Sequence, residues 1–271
     1  MNTVVPVFVY HSVSDHPAPW SAPRAVTRRA FADQLDRLAA AGRTVIPLRR
    51  LVSAVRGGVT LPDDAAVLTF DDGYEDFYWT TAPILSERGL PATVYITTGA
   101  VHSPGRAMPR SLLPPAAMLN WRQIGTLDAL GFEIGGHSRT HAQLDIVPAR
   151  RLAEEIGASK RELEEAVGHA VTAFSYPGGY SSPAVHRALA AAGWTSGATV
   201  GNAFSSAADN PYRIPRLLVT ADTAPARFQQ WAEGRGAGLQ PLAESLSTRG
   251  GRAYRRTRAR LGHPIAGSAV D

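Results

Sequence analysis

The sequence predicts an α/β fold in which parallel strands are joined by helical crossovers, and three observations carry that prediction. Strand and helix signals alternate from one end to the other, no segment repeats at a fixed period, and residues able to do chemistry stand directly after strands. Val4 to Tyr10 is apolar and β-branched, the pattern of a buried strand. From about Arg28 to Ala41, Phe31, Leu35 and Leu38 share one helical face and Gly42 supplies the stop. Thr44 to Ile46 reads as a short strand and Leu48 to Val55 as a short helix ending at Gly57-Gly58. Ala65 to Phe70 is a second strong strand, closing on Asp71-Asp72-Gly73, and a helix from Ala82 to Arg88 stops at Gly89. Ala92 to Ile96 is the next strand.

Residues 97–119, rich in Gly, Pro and Ser, predict a long loop over one end of the fold. Asn120 caps a helix through Leu130, followed by a strand from Phe132 to Ile134. Leu152, Ile156, Leu163 and Val167 line one side of a long amphipathic helix. Val171–Tyr176, Pro183–Ala192 and Thr195–Val200 continue the strand–helix–strand order, and Tyr212–Val219 and Ala224–Glu233 give a last strand and helix. About seven such units fit either an open sheet or a closed barrel. In a barrel, functional residues gather where strands end, and Asp71, His137 and Pro177 all follow predicted strands.

The chain has 271 residues, 44% of them hydrophobic and 19% charged, which suits a globular α/β domain. No apolar run approaches the length of a membrane span. The start reads as the first strand rather than a signal peptide, so the expected location is cytoplasmic or peripheral to a membrane. With no cysteine, disulfides and thiolate ligands are excluded, and any metal is held by His and carboxylate. The net charge of +5 resides in Arg249, Arg252, Arg255, Arg256, Arg258 and Arg260, leaving residues 1–248 with no net charge. That cluster reads as a solvated tail or as a contact for an anionic membrane surface. A neutral body and a tail whose one aromatic is Tyr254 argue against nucleic acid. No pattern specifies an oligomeric state.

Two constellations carry chemistry. In Thr69-Phe70-Asp71-Asp72-Gly73, two adjacent carboxylates end a strand. Burying both is costly unless a cation or proton compensates, which suggests that one ligates a metal and the other accepts a proton. Taken alone, the motif also suits a polar turn. His137-Ser138-Arg139-Thr140-His141 places two imidazoles four residues apart, as on one face of a helical turn, where they can share a metal. The other histidines, His16, His102, His169, His186 and His263, show no partner pattern, although the long loop can bring His102 over the site.

Together these motifs resemble the polysaccharide deacetylase (NodB-homology) family. The resemblance extends to Phe174-Ser175-Tyr176-Pro177-Gly178-Gly179 and Ala192-Gly193-Trp194, and covers roughly residues 4–220. It implies a distorted (β/α)7 barrel, here a single domain at residues 1–235, with residues 236–271 as a basic C-terminal extension. It also implies hydrolysis of an N-acetyl amide in an amino sugar or polysaccharide. Asp72, His137 and His141 are then the metal ligands, for zinc or for Co, Ni, Mn or Fe, and Asp71 is the general base. Tyr176, Pro177 and Gly178 at the rim, with Trp194, are the candidates for holding the sugar; for Trp194, as for Trp121, core packing competes.

Two departures stand out. Many members carry an Arg where this chain has Ser175, so the partner of Asp71 is unidentified. Many also carry a late Leu-x-His that supplies the acid, and Leu217-Leu218-Val219-Thr220 has none. The opening Val9-Tyr10-His11-Ser12 resembles a subgroup, including exopolysaccharide poly-N-acetylglucosamine deacetylases, in which an early Tyr-His supplies it, making His11 the candidate acid. The competing functions are hydrolysis of a small non-polymeric amide and a catalytically silent carbohydrate-binding protein.

Overall fold

A computed structural model describes residues 4–102, 111–239, 250–251, 253–255 and 257–258. Strand β1 (Val7–Tyr10) leads into β2 (Ser12–Val13), which pairs with β3 (Ala25–Val26). Helix α1 (Arg28–Ala40) starts where the Thr27 side chain accepts a hydrogen bond from the Ala30 amide. Then come β4 (Thr44–Val45), α2 (Leu48–Val55), β5 (Ala65–Phe70), a π-helical turn (Phe77–Thr81) and α3 (Ala82–Glu87). After β6 (Thr93–Ile96), α4 (Trp121–Ala129) opens on a reciprocal cap between Asn120 and Gln123. Strand β7 (Glu133–Gly136) precedes α5 (Ala149–Val167), which ends at Gly168 in the left-handed conformation. The remaining elements are β8 (Ala173–Ser175), α6 (Pro183–Ala191), β9 (Ser196–Ala198), β10 (Leu217–Leu218) and α7 (Pro225–Ala232).

The main sheet runs β10-β1-β5-β6-β7-β8-β9, with β4 added on β5, and every pairing in it is parallel. Its two edges meet through one short segment. Ile214 pairs with Ala198 of β9, while Leu217 and Leu218 pair with Phe8 and Val9 of β1. Pro215, which has no N–H to give, lies at this crossover. The result is a distorted (β/α)7 barrel.

Alternation along the strands divides the core in two. Val7, Val67, Tyr95, Ala173, Ala198 and Ile214 fill the interior, together with Leu48, Leu51 and Val52 of α2. Phe8 and Tyr10 face outward onto helices: Phe8 stacks on Phe228 of α7 at 4.8 Å, and Tyr10 meets Phe31 of α1 edge-on at 5.3 Å. On β5 the same period of two turns Val67 and Thr69 inward, and it aims Asp71, the next residue in that series, at the barrel mouth.

Three expectations need correction. The first strand starts at Val7, because Val5 makes an antiparallel bridge to Ser205 instead. The last strand shrinks from Tyr212–Val219 to Leu217–Leu218, because the segment leaves β9 for β1 midway. Residues 137–141 do not form a helical turn. Ser138 and His141 both have left-handed backbones (φ 59° and 61°), a conformation a helix does not contain.

Among the described residues, no helix is long and apolar enough to cross a membrane. Of the C-terminal arginines, Arg255 donates from Nε to Gln143 Oε1 (2.8 Å) and lies 5.4 Å over the Tyr180 ring, and Arg258 stacks over Tyr254. Arg249, Arg252, Arg256 and Arg260 fall outside the described residues.

Candidate metal centre and active site

Asp72, at the end of β5, is the residue on which the turn pivots. Its backbone is left-handed (φ 75°), as is that of Gly73 (φ 86°), and both carboxylates of the pair lie beside His137. Such a conformation is uncommon outside glycine, although Asp tolerates it better than most residues. His137 leaves the end of β7, and His141 follows four residues later in an irregular loop. The Nε2 atoms of His137 and His141 lie 3.4 and 3.3 Å from Asp72 Oδ1, and one ligand atom from each of the three residues falls within 4.8 Å of the others.

The donor set fits a divalent cation. His137 Nδ1 is 2.9 Å from the Ser175 carbonyl, an atom that can only accept, so the proton sits on Nδ1 and the Nε2 lone pair faces the cluster. Asp72 Oδ1 is buried with no hydrogen-bond partner, a costly arrangement for a carboxylate that a cation between the three side chains would relieve. Burial pushes the Asp72 carboxyl up, but the imidazoles of His137 and His141 beside it outweigh this and hold it well below the usual range.

Asp71 lies beside this cluster, 3% exposed, and its partner is Arg216, which the sequence reading did not identify. The guanidinium grips the carboxylate with two bonds, Nη1 to Oδ1 and Nη2 to Oδ2, both 2.7 Å. Its other donors reach Thr69 Oγ1 (3.1 Å), Ser175 Oγ (2.7 Å) and the Thr199 carbonyl (3.0 Å), so all five guanidinium N–H groups are used. Ser175 also donates to Asp71 Oδ2 (3.1 Å). The small serine thus sits beside a guanidinium delivered from the seam between β9 and β10. Burial alone would raise the Asp71 carboxyl; the charge and hydrogen bonds of Arg216 reverse this and keep it below its ordinary value. The signal available in the sequence was an arginine inside the otherwise apolar run Ile214-Pro215-Arg216-Leu217-Leu218.

His11 follows β1, next to β10, the strand on which the late histidine is missing. It thus reaches the same rim from the neighbouring strand. Burial pushes its imidazole down to about 4, against the opposing charges of Asp72 and Asp71, so it is uncharged at neutral pH. Its Nδ1 is buried without a partner among the described residues.

The expected sugar-contacting residues divide. Pro177 and Gly178 occupy a tight turn, with Pro177 buried and Gly178 exposed at φ 63°. Tyr176 and Trp194 belong to the core, which corrects both assignments. Tyr176 donates its hydroxyl to the Tyr212 carbonyl (2.9 Å) and covers Gly197 so closely that a Cβ there would lie 2.2 Å from the hydroxyl oxygen. Trp194 is 1% exposed, donates its indole N–H to the Ile156 carbonyl (3.3 Å), packs edge-on against Phe174 and fills the space over Gly136. Neither ring has a face left for a sugar. His102 is exposed and pairs with Asn120 through its backbone.

Comparison with known proteins agrees with this geometry. The model of the polysaccharide deacetylase family matches residues 58–197, which include the paired aspartates and both histidines of the cluster. The structure of IcaB from Ammonifex degensii superposes with a TM-score of 0.73 at 27% identity, over 85% of this chain and 97% of that one. The Streptococcus pyogenes deacetylase PplD, solved in complex with acetate, shares the fold at a TM-score of 0.75 and 22% identity, over 86% of this chain and all of that one. The poly-beta-1,6-N-acetyl-D-glucosamine N-deacetylase of Escherichia coli (strain K12) is 37% identical over 83 residues, which are 31% of this chain and 12% of that protein. With a family model spanning the metal cluster and a barrel of the same build, the chain belongs to the polysaccharide deacetylase family, metal-using hydrolases that cleave the amide bonds of acetylated polysaccharides.

Proposed function

We propose that this chain removes acetyl groups from an N-acetylated amino-sugar polymer of the poly-β-1,6-N-acetyl-glucosamine type, with zinc held by Asp72, His137 and His141. The observation that carries the reading is the buried Asp71–Arg216 pair set against the cluster, which keeps a carboxylate ionised where a water-derived proton must go. A divalent ion at the cluster would lower the pKa of bound water and polarise the amide carbonyl. Asp71 takes the proton from the attacking water as general base, and Arg216 prevents it from being protonated beforehand. His137 is oriented by the Ser175 carbonyl so that Nε2 points inward. His11, uncharged at rest, passes to the leaving amine the proton that Asp71 has taken from the water, which returns Asp71 to its ionised state. Pro177 and Gly178 border the sugar. Zinc is favoured over Co, Ni, Mn and Fe because one carboxylate and two imidazoles with an open position form a common catalytic zinc set.

A catalytically silent binding protein is the weaker reading, since Arg216 reaches Asp71 and His11 directly follows the strand beside the one that lacks the late histidine. A small non-polymeric amide is the other substrate to test. In this proposal Arg255 serves the barrel, so any contact with an anionic membrane falls to the other C-terminal arginines.

The test is acetate release from poly-N-acetylglucosamine oligomers and from small N-acetyl amides, alongside metal analysis. Asp71→Asn should remove turnover while retaining metal, and His137→Ala should lose both. Residual activity above a few per cent in Asp71→Asn overturns the assignment of the base.

A further inference from the structure

We propose that Glu155 is a positioning residue for the metal centre: it holds the loop between the two histidine ligands in the one shape that brings His141 to the ion. The inference rests on the reading of Asp72, His137 and His141 as ligands.

Glu155 stands on α5 with its carboxylate buried, its side chain 4% exposed, one helix away from the catalytic strands. Burying a carboxylate on a helix face is expensive unless its oxygens are occupied. They are occupied by the ligand loop. Oε2 accepts from the Arg139 amide (3.1 Å) and the Thr140 amide (2.7 Å), and Oε1 accepts from the Thr140 hydroxyl. Arg139 and Thr140 are the two residues directly before His141. Arg151 lies 3.5 Å from Oε1, one helical turn earlier on α5.

The loop needs such a clamp. Ser138 and His141 both adopt left-handed backbones, which are unfavourable for non-glycine residues unless the surroundings impose them. The loop's other groups are tied from different directions: the Ser138 and Arg139 carbonyls accept from the amides of Thr98 and Gly99, the Thr140 carbonyl accepts from the Leu112 amide, and the His141 amide donates to Ser138 Oγ. Among these, Glu155 is the charged acceptor, and it takes two consecutive amides on one oxygen. Converging N–H groups of this kind form a small anion nest, here filled from within the protein. The ligand-to-ligand spacing is therefore set by a carboxylate that does not itself ligate.

The experiment uses the full-length protein stripped of metal and measures zinc affinity against a competing chelator. The cobalt-substituted visible spectrum serves as a second readout of coordination. In Glu155→Gln, the amide oxygen still accepts both backbone N–H groups and the NH₂ can donate to the Thr140 hydroxyl, so affinity should stay within about threefold of wild type. Glu155→Leu removes every acceptor and should weaken zinc binding by about ten- to a hundredfold, with activity returning at saturating metal. Thr140→Val removes a single bond, leaves α5 intact and should lower affinity by a smaller factor, which keeps the test valid if Glu155→Leu does not fold. Wild-type affinity and an unchanged cobalt spectrum in Glu155→Leu and Thr140→Val, whatever the loss of thermal stability, would overturn the proposal. Failure of the wild type to bind one equivalent of zinc would instead overturn the metal-site reading beneath it.

Discussion

Replacing Arg216 by methionine is the perturbation that asks most of the site. The side chain is fully buried, and it provides the two 2.7 Å charge-assisted bonds that oppose the burial of Asp71. Removing one partner of a buried ion pair costs about 3–5 kcal/mol, because the other charge is stranded. A carboxylate escapes that cost by taking a proton. Losing the guanidinium therefore lets burial dominate, and the Asp71 pKa rises from below its ordinary value to above it. The sign follows from the direction of the native shift. Asp71 is held below its ordinary value, so the pair contributes stability above that value and loses it as pH falls through the folded pKa.

In Arg216→Met the base takes up its proton at a higher pH than in wild type, so the acidic limb of kcat/KM should move up, with activity recovering as the pH is raised above it. Arg216→Lys keeps the charge without the fork and should fall between the two. The assay is acetate release as a function of pH, with metal content measured on each sample. An acidic limb in the same place in wild type and Arg216→Met, with metal retained, would refute the argument that Arg216 keeps the base ionised.

Other outcomes follow from the same geometry. Asp76, hydrogen-bonded by Ser12, is pushed up to about 6 by burial, so the folded state loses about 3 kcal/mol as pH rises from about 4 to above 6. Asp76→Asn should therefore be more stable than wild type at pH 8 and not at pH 4; denaturant unfolding giving the same difference at both pH values would count against it. Gly136→Ala would place a Cβ 2.4 Å from the Trp194 ring, next to His137, and should cost about 1–3 kcal/mol along with some metal affinity. Thermal melts with and without chelator check this, and an unchanged melting temperature contradicts the tight packing. His11→Gln should lower kcat by about a hundred- to ten-thousandfold at unchanged metal content, and a variant retaining a tenth of wild-type activity would remove His11 from proton transfer.

What the sequence made legible was local. The strand ending at Asp71 and the helix capped by Asn120 are written in contiguous residues whose pattern and turn chemistry agree, and both form as expected. The grouping of Asp72, His137 and His141 was legible because two short motifs carry it. The shape of the 137–141 loop was not, because its left-handed backbones are imposed by Glu155, Thr98, Gly99 and Leu112, which are distant in sequence. Arg216 was missed for the same reason: its role appears only when the chain's last strand lies beside its first. Tyr176 was placed at the rim by its position in a motif, and for Trp194 sugar contact competed with core packing; Gly197 and Gly136 leave volume that these large rings fill, so packing claims both.

The seam at residues 214–218 has a consequence for how the protein comes into being. A nascent chain that has emerged only as far as about residue 200 already contains Asp72, His137 and His141, but no guanidinium to face Asp71. The side chains that would hold an ion and the guanidinium that faces Asp71 are therefore made at different times, and the site is whole only when the end of the barrel comes home to its beginning.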